Sequence, residues 1–119
     1  MSSDQTILSQ LRDHLRAERD VRTTLEDIDG SLLTQAKDRL RKLQHNLRAN
    51  EGDADQLAEE GEAILETLYD IQRLREDKIV TLAKYPEILT NVNKLLPNEA
   101  KLYQDTRAAI FVYRESGKS

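Results

Sequence analysis

Arg75 and Lys78 are the residues of this chain whose setting most demands a chemical explanation. They belong to the series Leu57, Gly61, Ile64, Leu68, Ile71, Arg75, Lys78 and Leu82, spaced by threes and fours. That spacing puts the whole series on one face of a helix. The face is mostly apolar up to Ile71, turns basic at Arg75 and Lys78, and is apolar again at Leu82, with Ile79 and Ala83 beside it. A long cation set among core residues needs a carboxylate or backbone carbonyls to hold its head group. The other outcome is that the stripe drifts around the helix and both side chains run to water along their own methylenes. The spacing alone admits both.

The remaining residues with chemical potential are scattered. His14 and His45 sit on different helical segments, are read as surface or rim residues, and are assigned no carboxylate partner and no second metal ligand. No cysteine is present, which excludes disulfides and thiolate metal sites. There is no phosphate-binding glycine loop and no HExxH, and the many carboxylates are expected to be solvated. No catalytic constellation emerges, so neither an enzyme nor a cofactor is expected. The net charge of −4 argues against a general nucleic-acid binder. One local exception is residues 37 to 48, with five Lys or Arg against one Asp. There Lys37, Arg41, Lys42 and Arg48 form either a solvated face or a patch for an acidic partner or a DNA backbone.

The elements that position these residues are helices. The 119 residues suit one domain, and few β-branched residues, two prolines and four glycines leave room for long helices. The expected architecture is all-α, a bundle of about four main helices with no β domain, over residues 1–115, with 116–119 as a tail or the start of a linker. A first helix spans residues 4 to 19, capped by Ser3 or Asp4. Residues 20 to 30 form a loop pinned by Leu25 and Ile28, and Asp29 or Ser31 starts a second helix over 31 to 48. A loop on Gly52-Asp53 leads to the longest helix, 55 to 83, where a close crossing of another helix is one reason to keep Gly61. Tyr85-Pro86 stops it. Residues 87 to 96 read as a short helical turn or an apolar loop, and Pro97 opens a last helix to about 115. On that helix Tyr103, Ile110, Phe111 and Tyr113 are either core or an oligomer interface, since aromatic residues are enriched at interface cores. No apolar run reaches the roughly 20 residues of a membrane span.

The segment from Leu68 to Ala83, LYDIQRLREDKIVTLA, resembles the signature helix of the GINS replication proteins, in which an arginine, two spacers, a lysine and an isoleucine follow an amphipathic run. Glu18-Arg19 at the end of the first helix, LEDID at Leu25 to Asp29, and Leu95-Leu96-Pro97-Asn98-Glu99 before Leu102-Tyr103 are similar to features of the helical A domain of that family. The resemblance covers most of the chain in the right order. The helical part comes first, which looks like the class with the A domain before a β-rich B domain, and the resemblance is to the archaeal members. No B domain follows Tyr113, so either it was cut away at the linker or the subunit lacks it.

The resemblance implies a non-catalytic scaffold. Its partners would be other GINS subunits in a homo- or heterotetramer, the MCM helicase and a RecJ-like replication protein. Direct DNA contact would be weak or absent and membranes uninvolved. The setting would be the archaeal cytoplasm and nucleoid, or the nucleus in a eukaryote. It also implies that Arg75 and Lys78 are structural, one of them pairing with Glu18 to lock the first helix to the third. The competing readings are an unrelated helical adaptor with an apolar groove for a partner helix, and a DNA-binding module using the basic face of residues 31–48.

Overall fold

The computed structural model describes residues 6–20, 25–85 and 94–117. They form an all-α bundle of four helices: α1 (Ile7–Asp20), α2 (Gly30–Arg48), α3 (Ala54–Lys84) and α4 (Pro97–Ser116). The starts follow local chemistry. Thr6 Oγ1 accepts from the Ser9 N–H (3.1 Å), which satisfies one of the donors that every helix N-terminus leaves open. Ser3 and Asp4, the expected caps, lie outside the described residues. Asp29 caps α2 by accepting from the Ser31 N–H (2.9 Å), and Asp53 caps α3 by accepting from the N–H groups of Asp55 and Gln56. Between α2 and α3 the chain reverses through Gly52 at φ +85°, a left-handed conformation that favours glycine. Pro97 occupies the first turn of α4, where its missing N–H costs nothing. Of the segment expected to link α3 and α4, residues 86–93 lie outside the described residues.

α3 is the spine. Its 31 residues extend about 46 Å at 1.5 Å per residue, and it packs against each of the other three helices. The apolar core divides along it. Leu11, Leu15, Ala36, Leu43, Ile64 and Ile71 form one cluster, where α1 and α2 meet the first half of α3. Leu25, Ile79, Leu82, Ala83 and Tyr103 form the other, where α4 and the loop before α2 meet the second half. The molecule is elongated, 64 × 32 × 19 Å, with a radius of gyration of 18.2 Å. A compact domain of this length would have about 13.5 Å. Leu25 and Ile28 pin the loop as expected, the first fully buried and the second packed on the α1–α3 cluster.

Gly61 is not held by a tight crossing. A methyl group there would meet Leu43 Cδ1 at 3.9 Å, an ordinary contact. The glycine therefore costs helix stability without a steric need for it. Gly61→Ala should raise stability by about 0.5–1 kcal/mol, read from thermal unfolding at low protein concentration. A lower melting temperature would mean that α2 closes on this position more tightly than the structure shows.

Candidate functional site

Between the two apolar clusters lies a charged knot centred on Arg75, which is 1 % exposed. Its guanidinium has five N–H donors, and all five are used. Nε and Nη2 hold the Glu99 carboxylate as a fork at 2.7 and 2.8 Å. Nη1 donates to Glu18 Oε2 (2.8 Å) and to the Glu26 carbonyl (2.7 Å). Nη2 also donates to the Lys94 carbonyl (3.0 Å). One side chain of α3 thus ties α1, the loop before α2, the approach to α4 and α4 itself.

Lys78, one turn further on, donates from Nζ to Glu18 Oε1 (2.7 Å) and to the Glu18 carbonyl (2.8 Å). The second contact satisfies a carbonyl in the last turn of α1, where a cation is also favoured by the helix dipole. The resemblance asked for one of the two cations to pair with Glu18. The structure brings both to it, and neither runs to water.

Glu18 is fully buried and accepts four hydrogen bonds. Besides Arg75 and Lys78, the Glu26 N–H reaches Oε1 (3.2 Å) and His14 Nε2 reaches Oε2 (2.6 Å). With Glu18 ionised, the imidazole nitrogen facing it carries the proton. Burial by itself would raise the Glu18 pKa, but the hydrogen bonds from His14, Lys78, Arg75 and the Glu26 N–H outweigh it and hold the carboxyl at about 2. For Arg75, burial pushes downward, and Glu99 and Glu18 overcome it, so its pKa stands above the ordinary arginine value. Two cations thus face two carboxylates in a balanced group. Among the described residues no buried polar side-chain atom lacks a partner. The hydrogen-bonding capacity of Arg75 and Glu18 is used up inside the protein, which is what a lock between helices requires.

One expectation is corrected at this site. His14 has a carboxylate partner after all, four positions along its own helix, which is the spacing at which helical side chains meet. The second carboxylate of the knot, Glu99, is missing from the sequence reading. Its signal was the position of Glu99 in the first turn of a helix opened by Pro97. There Oε1 also accepts from the Leu96 N–H (2.9 Å), half of a capping box.

The expected oligomer surface on α4 is split. Tyr103 is 6 % exposed and belongs to the second apolar cluster, with Ile110 packed partly against it. They stand seven positions apart, on the face turned to α3, so Tyr103 is a core residue and not an interface residue. Phe111 (64 % exposed) and Tyr113 (78 % exposed) point away from that face, together with Val112.

On α2, Lys37, Arg41, Lys42 and Arg48 are exposed. Arg41 pairs with Asp38 on the same helix (2.7 Å). Arg39 instead holds Glu60 of α3 with two bonds, 2.6 and 2.8 Å. That pair raises the Arg39 pKa and lowers that of Glu60. His45 is exposed. Among the described residues no three His, Asp or Glu side chains are grouped as a metal would need, and no helix is long and apolar enough to cross a membrane.

Compared with protein-family models, with curated proteins and with solved structures, the chain finds no match in any of the three.

Proposed function

We propose that this chain is a non-catalytic scaffold subunit of a GINS-type replication complex, which joins and activates the MCM helicase by helix-on-helix assembly. The observation that carries the reading is the use of Arg75 and Lys78. The residues that bear the resemblance, Arg75-x-x-Lys78-Ile79, are the ones that fasten α1 and α4 to the spine. The remaining features suit a part that works by association. The body is elongated, and Phe111, Val112 and Tyr113 stand in solvent near the end of α4, where they suit the aromatic core of an interface. The basic face of α2 favours a DNA-binding module less, since Arg39 and Arg41 already have carboxylate partners.

Two experiments test this. Unwinding of a forked duplex by MCM should rise when the chain is added with a GINS-type partner subunit. No change in unwinding, with no co-elution with either protein, would overturn the reading. For the α4 surface, the double change Phe111→Ala with Tyr113→Ala should leave stability within about 0.5 kcal/mol, as expected for exposed positions, and remove co-elution with the partner subunit. A double variant that still co-elutes would move the interface elsewhere.

A further inference from the structure

An apolar groove of about 400 Å³ runs between α2 and α3 on the surface of the bundle. Leu40, Leu43 and Leu47 line it from α2, and Leu57, Gly61 and Leu65 from α3. Leu65 is 57 % exposed, and Tyr69, one turn further along α3, is also exposed. The two rims carry opposite charge. Arg41 stands on the α2 edge of the groove and Glu62 on the α3 edge. Helical spacing continues the α2 edge to Lys37 and Arg48, and the α3 edge to Asp55 and Glu66. All six are exposed.

The two helices are joined by the short loop over residues 49–53, so they run antiparallel. The approach of Leu43 to Gly61 sets their register. Counting outward from that level, Arg41 stands within one residue of Glu62, Arg48 within one residue of Asp55 near the connecting loop, and Lys37 within one residue of Glu66 at the far end.

We infer that this groove is the two-fold interface of a homodimer, in which a second copy lays the same helix pair across it. The charge pattern selects the arrangement. A two-fold axis parallel to the helix pair places each copy's basic rim over the other's acidic rim at the same level. Arg41 then meets Glu62 of the second copy, Arg48 meets Asp55 and Lys37 meets Glu66, each pair formed twice. Leu40, Leu47, Leu57 and Leu65 of the two copies close on one another between the rims. An axis across the helices would set basic on basic and acidic on acidic, which repels. Only the first arrangement is self-complementary in the sense an isologous contact requires. In it Arg41 exchanges its Asp38 partner on the same helix for Glu62 of the second copy. The inference does not rest on the replication reading. It uses a different surface from the exposed end of α4, and it stands or falls by itself.

The charge pattern also supplies a test that a merely hydrophobic contact would not pass. The full chain should have twice the 13.7 kDa chain mass in light scattering at moderate salt. Arg41→Glu alone and Glu62→Arg alone should each shift the protein toward one chain mass, with unchanged helical circular dichroism, because both positions are exposed. Mixing the two single variants should restore a one-to-one dimer, since every rim pair across that interface is again of opposite sign. The double variant carrying both changes should dimerise by itself. The inference is overturned by wild-type protein that keeps one chain mass at its highest soluble concentration. It is equally overturned by a dimer whose mass ignores both single changes, or by single variants that stay apart when mixed.

Discussion

Arg75→Ala should destabilise the protein by about 3–5 kcal/mol, the usual cost of removing one partner from a buried ion pair. Three observations set the size. All five donors of the guanidinium are engaged. Its removal leaves Glu99 without its fork partner, and it leaves Glu18 buried with one cation in place of two. The bonds also join segments far apart in the chain, so the loss falls on tertiary structure. A domain of this class is stable by only about 5–15 kcal/mol, and the apolar core is already divided in two, so the variant should be close to unfolding at room temperature. Chemical denaturation at pH 7 measures this directly. Arg75→Lys should recover little, because an ammonium cannot reproduce the planar fork to Glu99 together with the bonds to Glu18 and the two carbonyls. A double-mutant cycle gives the coupling: Glu99→Ala should cost at least about 1 kcal/mol less when Arg75 is already alanine. A loss within about 0.5 kcal/mol for Arg75→Ala is the behaviour of a surface pair and would contradict the buried knot.

The second large effect is acid sensitivity. Glu18 has an ordinary value of 4.5 and is held at about 2 in the fold, so the unfolded chain takes up this proton more readily than the folded one. The stabilisation from Glu18 is therefore complete above pH 4.5. It is lost as the pH falls from there toward 2. A shift of this size corresponds to roughly 3 kcal/mol. Glu60, lowered by Arg39, acts in the same direction. The denaturant midpoint should fall steeply over this window. Glu18→Gln should flatten that slope and also lower stability at neutral pH. An amide has one acceptor oxygen, and here it would face four donors and two positive charges. If the wild type and Glu18→Gln show the same slope between pH 4.5 and 2, the carboxylate of Glu18 is not the group that the knot protects.

Much of the fold was legible because it rests on local rules. The three-and-four spacing of Leu and Ile marks the first three helices, and Asp29, Gly52-Asp53 and Pro97 mark where the last three begin. Leu25 and Ile28 announced a pinned loop by being apolar in a polar segment. The knot was legible in part. A basic pair inside an apolar stripe shows that something must neutralise it, and Glu18 was within reach of the argument. Glu99 was harder to see, because it is distant in sequence and its first-turn position also has a purely local explanation in capping α4. The pairing of His14 with Glu18 was visible at four-residue spacing. The histidine was weighed as a metal ligand, however, and not as a hydrogen-bond donor to a buried carboxylate. Tyr103 was left open between core and interface for a different reason. α4 has a polar run over 104–107 followed by an apolar run over 108–113, without a clean stripe, so spacing alone does not tell which aromatic faces α3. The groove between α2 and α3 depends on the register of two helices, which no single helical pattern contains.

The proposed scaffold role is tested most directly by the mass of the protein in solution. Light scattering of the chain mixed with MCM and a GINS-type partner subunit should show a stable assembly containing all three. The same mixture made with the Phe111→Ala and Tyr113→Ala chain should lose the partner subunit while the chain stays folded. A chain that remains separate from both proteins at every ratio would contradict the scaffold reading and leave a locked helical bundle with some other task.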